Sequence, residues 1–175
     1  GAWAAFCLWH KDIRPHQTIV LGDFLDFGMI SRYPQGAEDP AKVVPQIKVF
    51  VHEVNQLASR SLVTVMEGNH DERWRKLFWD RAQALQGVKG LSLKDQCLFQ
   101  GMDPSIDWNH EDVVNKGLKV GSFLLRHGHN QSSRFGGGKH PAAKRIAANM
   151  GHNEVFGHLH RAQLYCQTAM GRTAI

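Results

Sequence analysis

The chain holds 175 residues, 42% of them hydrophobic and 21% charged, with a formal net charge of +5 at pH 7. That is the make-up of an ordinary soluble globular protein, long enough to bury a core as a single domain over 1–175. No run of about 18 apolar residues is present to cross a membrane, and the opening GAWAAFCLWHKD lacks the basic stretch and small-residue cleavage site of a signal peptide.

From the N-terminus, Ala2 to Asp12 offers an apolar helical face through Trp3, Phe6, Cys7 and Trp9. Gln17 to Gly22 (QTIVLG) is a short β-branched run that stops at a glycine, the pattern of a buried strand. Gly28 to Pro40 is rich in turn formers and reads as a loop. Helical spacing returns over Ala41 to Arg60, where Val44, Ile47, Val51, Val54 and Leu57 recur three or four apart and Pro45 falls in a first turn. Ser61 to Gly68 (SLVTVMEG) predicts a second buried strand, and Glu72 to Leu85 another helix. Gln86 to Lys116 carries mixed signals and receives no assignment. Leu118 to Gly128 predicts a third strand, or a hairpin broken at Gly121. The glycine-rich RFGGGKHP leads into a helix over Pro141 to Met150, with proline in its first turn, and NEVFGHLHRAQLYCQ closes with one or two more strands. This alternation predicts an α/β layered fold.

Four polar clusters stand where apolar strands give way to loops: GDFLDFG (22–28), GNHDER (68–73), RHGHN (126–130) and GHLHR (157–161). Strand ends are where open α/β sheets bind ligands. Together the clusters supply Asp, Asn and His but no Cys, a donor set suited to Mn, Fe, Zn or Ni rather than to a thiolate zinc site. In an extended chain residues i and i+2 share a face, so His158 and His160 would aim at one point. The three cysteines, Cys7, Cys97 and Cys166, are widely separated and odd in number, which reads as reduced thiols in a cytoplasmic protein. The positive charge suits a phosphate-bearing partner, a nucleotide or nucleic acid included, although the basic residues are scattered.

The order GD-x2-D, GNH[DE], H, GH-x-H, running from Gly22 to His160, resembles the calcineurin-like metallophosphoesterases, and is closest to the bacterial and phage-type spelling of those motifs. The resemblance implies a β-sandwich flanked by helices, holding two divalent ions and hydrolysing phosphomonoesters, phosphodiesters or pyrophosphates by direct attack of water. Residue by residue, it implies that Asp23 bridges the ions. Asn69, His127 and His158 would complete the second ion's site, and His160 would bind the first. His70 would be the general acid beside the leaving oxygen, with Asp26 orienting it. Arg32, Arg73 and Arg161 lie beside these motifs and are candidate clamps for substrate phosphate. His129 is a weaker candidate for touching substrate or metal.

One motif departs from the pattern. The family's leading D-x-H triplet, on a first strand, is not found before Gly22, and His10 and His16 lack the strand context to replace it. The expectation is therefore a domain truncated at both ends with its first strand missing, holding one ion better than two and poorly active. The competing reading is a catalytically impaired scaffold or binding module of the same fold. Retention of Asn69, His70 and Asp26 argues against it, because a scaffold has no chemical need of them.

Overall fold

QTIV and LVTVM, the two most β-branched runs, form neighbouring parallel strands. The computed structural model describes residues 1–30, 43–109, 117–129, 153–158, 167–169 and 172–174. In chain order they form α1 (Ala2–Ile13), β1 (Gln17–Val20), α2 (Val43–Ala58), β2 (Leu62–Met66), α3 (Glu72–Arg81), α4 (Leu93–Phe99) and β3 (Asp107–Asn109). These are followed by β4 (Leu118–Val120), β5 (Phe123–Arg126), β6 (Asn153–Phe156), β7 (Gln167–Ala169) and β8 (Arg172–Ala174). The strands make three small open sheets: β1-β2-β3, all parallel; β4-β5-β6, with β4/β5 antiparallel and β5/β6 parallel; and the antiparallel pair β7/β8. The mixed α/β class expected from the sequence is borne out.

Most elements follow from local pattern. On α2, Ile47, Phe50, Val51, Val54 and Leu57 form one buried stripe that meets Val63 and Val65 of β2, Leu93 and Cys97 of α4, and Trp108 of β3 in a single core. Each such side chain contributes roughly 1.5–3 kcal/mol by leaving water. Phe24 stacks on Phe50 with ring centroids 4.1 Å apart, and both meet the edge of Trp108. The Trp108 indole, in turn, donates to the buried Glu67 carboxylate at 2.9 Å. The β4/β5 turn falls at Gly121, whose φ of 59° suits glycine.

Three readings need adjusting. The apolar face of α1 is only partly used: Phe6 packs on the core and His10 is buried, whereas Trp3 and Trp9 are exposed. His10 Nε2 lies 2.8 Å from Thr18 Oγ1 in β1, so its partner is a strand hydroxyl and not a metal-site residue. The helix expected to reach Leu85 ends at Arg81, where Ala82 leaves helical geometry and a short 3-10 turn follows over Gln83–Leu85. The unassigned stretch contains α4, capped by Ser92 Oγ accepting from Asp95 N, and the three-residue β3. The helix expected over 141–150, the loop before it and most of the loop over 28–40 lie outside the described residues. No helix among the described residues is long and apolar enough to cross a membrane.

Parallel pairing has a positional consequence. β1 and β2 run together, so the Leu21–Asp26 and Glu67–Asp71 loops leave the same edge of their sheet. β5 and β6 also run together, and their ends deliver His127–His129 and Gly157–His158 side by side. A buried ion pair across this second pair, Arg126 Nε to Glu154 Oε1 at 2.9 Å, sits one residue before His127.

Candidate metal centre

The two strand edges meet through His127, which is 1% exposed. Its Nδ1–H donates to the Leu21 carbonyl at 2.7 Å, which fixes the ring's orientation from the end of β1. That leaves Nε2 facing Asp23 Oδ2 at 3.2 Å and Asn69 Oδ1 at 3.0 Å. One ligand atom each from Asp23, His127 and His158 lie within 4.8 Å of one another. Residues 135 positions apart in the chain (23 to 158) thus share one small volume. Two donors each about 2.1 Å from a common cation, at angles between square and tetrahedral, stand about 3.0–3.4 Å apart. The spacings around His127 Nε2 fall in that range.

Backbone conformation supports the same focus. Asp23 and His158 have φ values of 56° and 48°, in the left-handed region that a β-carbon makes costly. Asp23 is held there by three backbone contacts. Its own N–H donates to Asp71 Oδ2 at 2.8 Å, its Oδ1 accepts from His70 N at 2.9 Å, and Gly68 packs against it so closely that a β-carbon there would strike the carboxylate.

The charges of the pair follow from this geometry. Burial pushes the Asp23 carboxyl upward, but the His127 contact and the His70 N–H outweigh it and hold the group down at about 2. Burial likewise pulls the His127 imidazole down, yet the Asp23 carboxylate and the Leu21 carbonyl leave it raised above 6.5. In its charged form, which these partners favour, His127 carries protons on both nitrogens. A cation at this point would take the lone pair that the Nε2 proton occupies.

His70 and Asp26 form a second, more open feature. His70 Nδ1 lies 2.9 Å from Asp26 Oδ1, and Asp26 is 61% exposed. The Arg73 guanidinium reaches the same residue, donating to the Asp26 carbonyl at 2.5 Å and lying 3.4 Å from its carboxylate. Arg73, expected as a phosphate clamp, is thereby placed on Asp26. Of the other residues expected from sequence, Asp23, Asn69, His127 and His158 converge, while His160, Arg32 and Arg161 lie outside the described residues.

Two residues escaped the sequence reading. Asp71, 1% exposed, accepts from the backbone N–H groups of Gly68 (2.8 Å), Asp23 (2.8 Å) and Leu25 (3.0 Å), joining the loops after β1 and β2. Burial pushes its carboxyl up to about 7 against the pull of those donors. Glu72, the next residue, lies 3.3 Å from His129 Nε2 and 2.6 Å from Lys76 Nζ, and these partners hold it at about 2 despite its burial. An acidic pair opening a helix was the available signal, since Asp and Glu favour a helix's first turn. It does not say which distant groups the carboxylates reach.

Comparison with protein-family models, curated proteins and solved structures returned no match to this chain.

Proposed function

We propose that the protein is a metal-dependent phosphoesterase of the calcineurin-like kind, hydrolysing a phosphomonoester or phosphodiester, with its sheets belonging to a helix-flanked β-sandwich. The observation that carries this reading is the convergence of Asp23, His127 and His158 within 4.8 Å, with Asn69 Oδ1 3.0 Å from the same imidazole nitrogen. The donor set fits a borderline divalent ion such as Mn, Fe, Zn or Ni: one carboxylate, one amide oxygen and two imidazoles, with the Leu21 carbonyl as the outer partner that orients His127. These four residues would hold one ion, and His160 would serve a second.

A divalent ion there would polarise a phosphoryl oxygen and acidify the attacking water. The protein's own contribution is orientation and a proton. With Nδ1–H given to Asp26, His70 in its charged form keeps a proton on Nε2, and that proton can pass to the leaving oxygen. Arg73 reaches the same Asp26, at its carbonyl and, at 3.4 Å, at the Oδ1 that meets His70. Arg32 and Arg161 are the remaining candidates to bind substrate phosphate. The net charge of +5 favours an anionic substrate such as a nucleotide or nucleic acid. The free thiols Cys7 and Cys97 suit a reducing, cytoplasmic setting.

The test is calorimetric and kinetic. Co2+ titrated into the chain should bind at about one equivalent and release a proton, with affinity rising as pH rises through the His127 titration. Asp23→Asn and His127→Ala should each abolish binding. His70→Ala should leave Co2+ affinity unchanged and lower manganese-supported hydrolysis of bis-p-nitrophenyl phosphate by ~10²-fold or more. Unaltered Co2+ binding in Asp23→Asn would overturn the reading.

A further inference from the structure

Asp71 and Glu72 are adjacent, yet their carboxylates serve opposite sides of the candidate centre. Asp71 holds the loops after β1 and β2, which carry Asp23 and Asn69. Glu72 reaches the turn after β5, where its Oε1 is 3.3 Å from His129 Nε2. This second contact is interior: the two side chains are 8% and 5% exposed, His129 and Glu72 respectively. The His129 ring lies with its centroid 5.2 Å from that of His127 and 6.1 Å from that of His158, while His127 and His158 are themselves 5.2 Å apart edge to face. Three imidazoles therefore pack as one group, and Glu72 Oε1 makes a 3.3 Å ion-pair contact with the one that stands outside the Asp23–His127–His158 triad. Glu72 is itself immobilised by Lys76 at 2.6 Å and Arg75 at 3.2 Å, one turn along α3.

A cation needs donors from both sides at once, Asp23 and Asn69 from one sheet, His127 and His158 from the other. Their separation must be set by something rigid, and a single peptide unit at the start of α3 spans it. We infer that Glu72, acting through His129, is a positioning residue of this centre, fixing from the first turn of α3 how far the His127 and His158 rings stand from Asp23 and Asn69. The inference rests on the metal reading proposed above. Outer partners of this kind are worth ~10–100-fold in metal affinity. Glu72 is not itself a ligand, because its oxygens are occupied by Lys76, Arg75 and His129.

The experiment is a Co2+ titration of the full chain and of five variants, with thermal unfolding of each apo protein in parallel. Glu72→Ala should weaken Co2+ binding ~10–100-fold, and Glu72→Gln, which keeps an oxygen for His129, should recover most of the loss. Lys76→Ala, which leaves Glu72 its contacts with Arg75 and His129, should lose less affinity than Glu72→Ala. His129→Ala should lose as much affinity as Glu72→Ala, and the double variant should be no worse than either single one, as for two residues acting through one contact. At saturating Co2+ the visible absorption of His129→Ala should match the wild type, since His129 positions the ligands without being one. Wild-type affinity in folded Glu72→Ala, additive losses in the double variant, or a shifted spectrum in His129→Ala would each overturn the inference. Should Glu72→Ala fail to fold, His129→Ala decides alone: it leaves Glu72 with Lys76 and Arg75, and wild-type affinity there overturns the inference equally. Failure of the wild type to bind Co2+ is a different result, which overturns the metal reading itself and this inference with it.

Discussion

Gly68→Ala should abolish Co2+ binding and lower the stability of the chain by about 2–3 kcal/mol, which for a domain of this size is a fall of ~4–12 °C in Tm. A β-carbon at Gly68 would strike the Asp23 carboxylate and come within 2.5 Å of Asp23 N and 2.9 Å of His127 Cε1. None of these neighbours can yield. Asp23 N is fixed by Asp71, and the His127 ring is held at Nδ1 by the Leu21 carbonyl and at Nε2 by Asn69 and Asp23. The facing position is as tight: a β-carbon on Gly22, at φ +88°, would lie 2.6 Å from Gly68 N and 2.8 Å from His127 Nδ1. The two glycines thus let the loops after β1 and β2 touch beside the imidazole, and one methyl group forces apart the donors that must share a cation. Co2+ affinity in Gly68→Ala within tenfold of the wild type would show that the loops do not need this closeness.

The same crowding explains which parts of the site could be read from the sequence. The clusters holding Asp23, Asn69, His127 and His158 were legible because each sets polar residues beside a glycine at the end of an apolar run, and parallel strands bring such ends together; which residue of each cluster would be a ligand came from the family resemblance. The strands themselves were legible for the usual reason: β2 is buried along nearly its whole length and is spelled in β-branched and apolar residues. The α2 stripe was equally plain, since its buried positions recur at helical spacing. Asp71 and Glu72 were opaque because their meaning is tertiary. Asp71 meets N–H groups 46 and 48 positions away, and nothing in GNHDER encodes those partners. The region of α4 and β3 was opaque for a different reason. A helix of seven residues with two buried side chains, and a strand whose single buried residue is Trp108, are too short to establish a period. On α1 the pattern misled in part, because Phe6 packs on the core as its spacing suggests, but the fully buried residue is His10, which meets the Thr18 hydroxyl, while two tryptophans remain outside.

The second large effect should come from Asp71→Asn, a change that keeps the shape of the side chain and removes one acceptor. Asp71 Oδ2 takes the N–H groups of Gly68 and Asp23, and Oδ1 takes that of Leu25, so both oxygens are committed. An amide has one oxygen. Turned to keep Gly68 and Asp23, it points its NH2 at the Leu25 N–H; turned the other way, it opposes two N–H groups. A buried donor left facing a donor costs about 1–3 kcal/mol, and Asp71→Ala, which abandons all three, should cost more. Asp23 loses its backbone tether in Asp71→Ala, and in Asp71→Asn when the amide is turned away from it, so Co2+ affinity should fall with stability. A pH series separates this role from simple packing. Burial raises the folded-state pKa of Asp71 to about 7 from 3.8. A raised pKa means that its favourable contribution is complete below 3.8 and disappears as pH climbs through 7. Asparagine does not titrate, so the wild type should lose stability across that interval while Asp71→Asn stays flatter. Parallel pH profiles for the two proteins in chemical denaturation would show instead that Asp71 has the same charge in the folded and unfolded chain, and that its three hydrogen bonds alone set its worth.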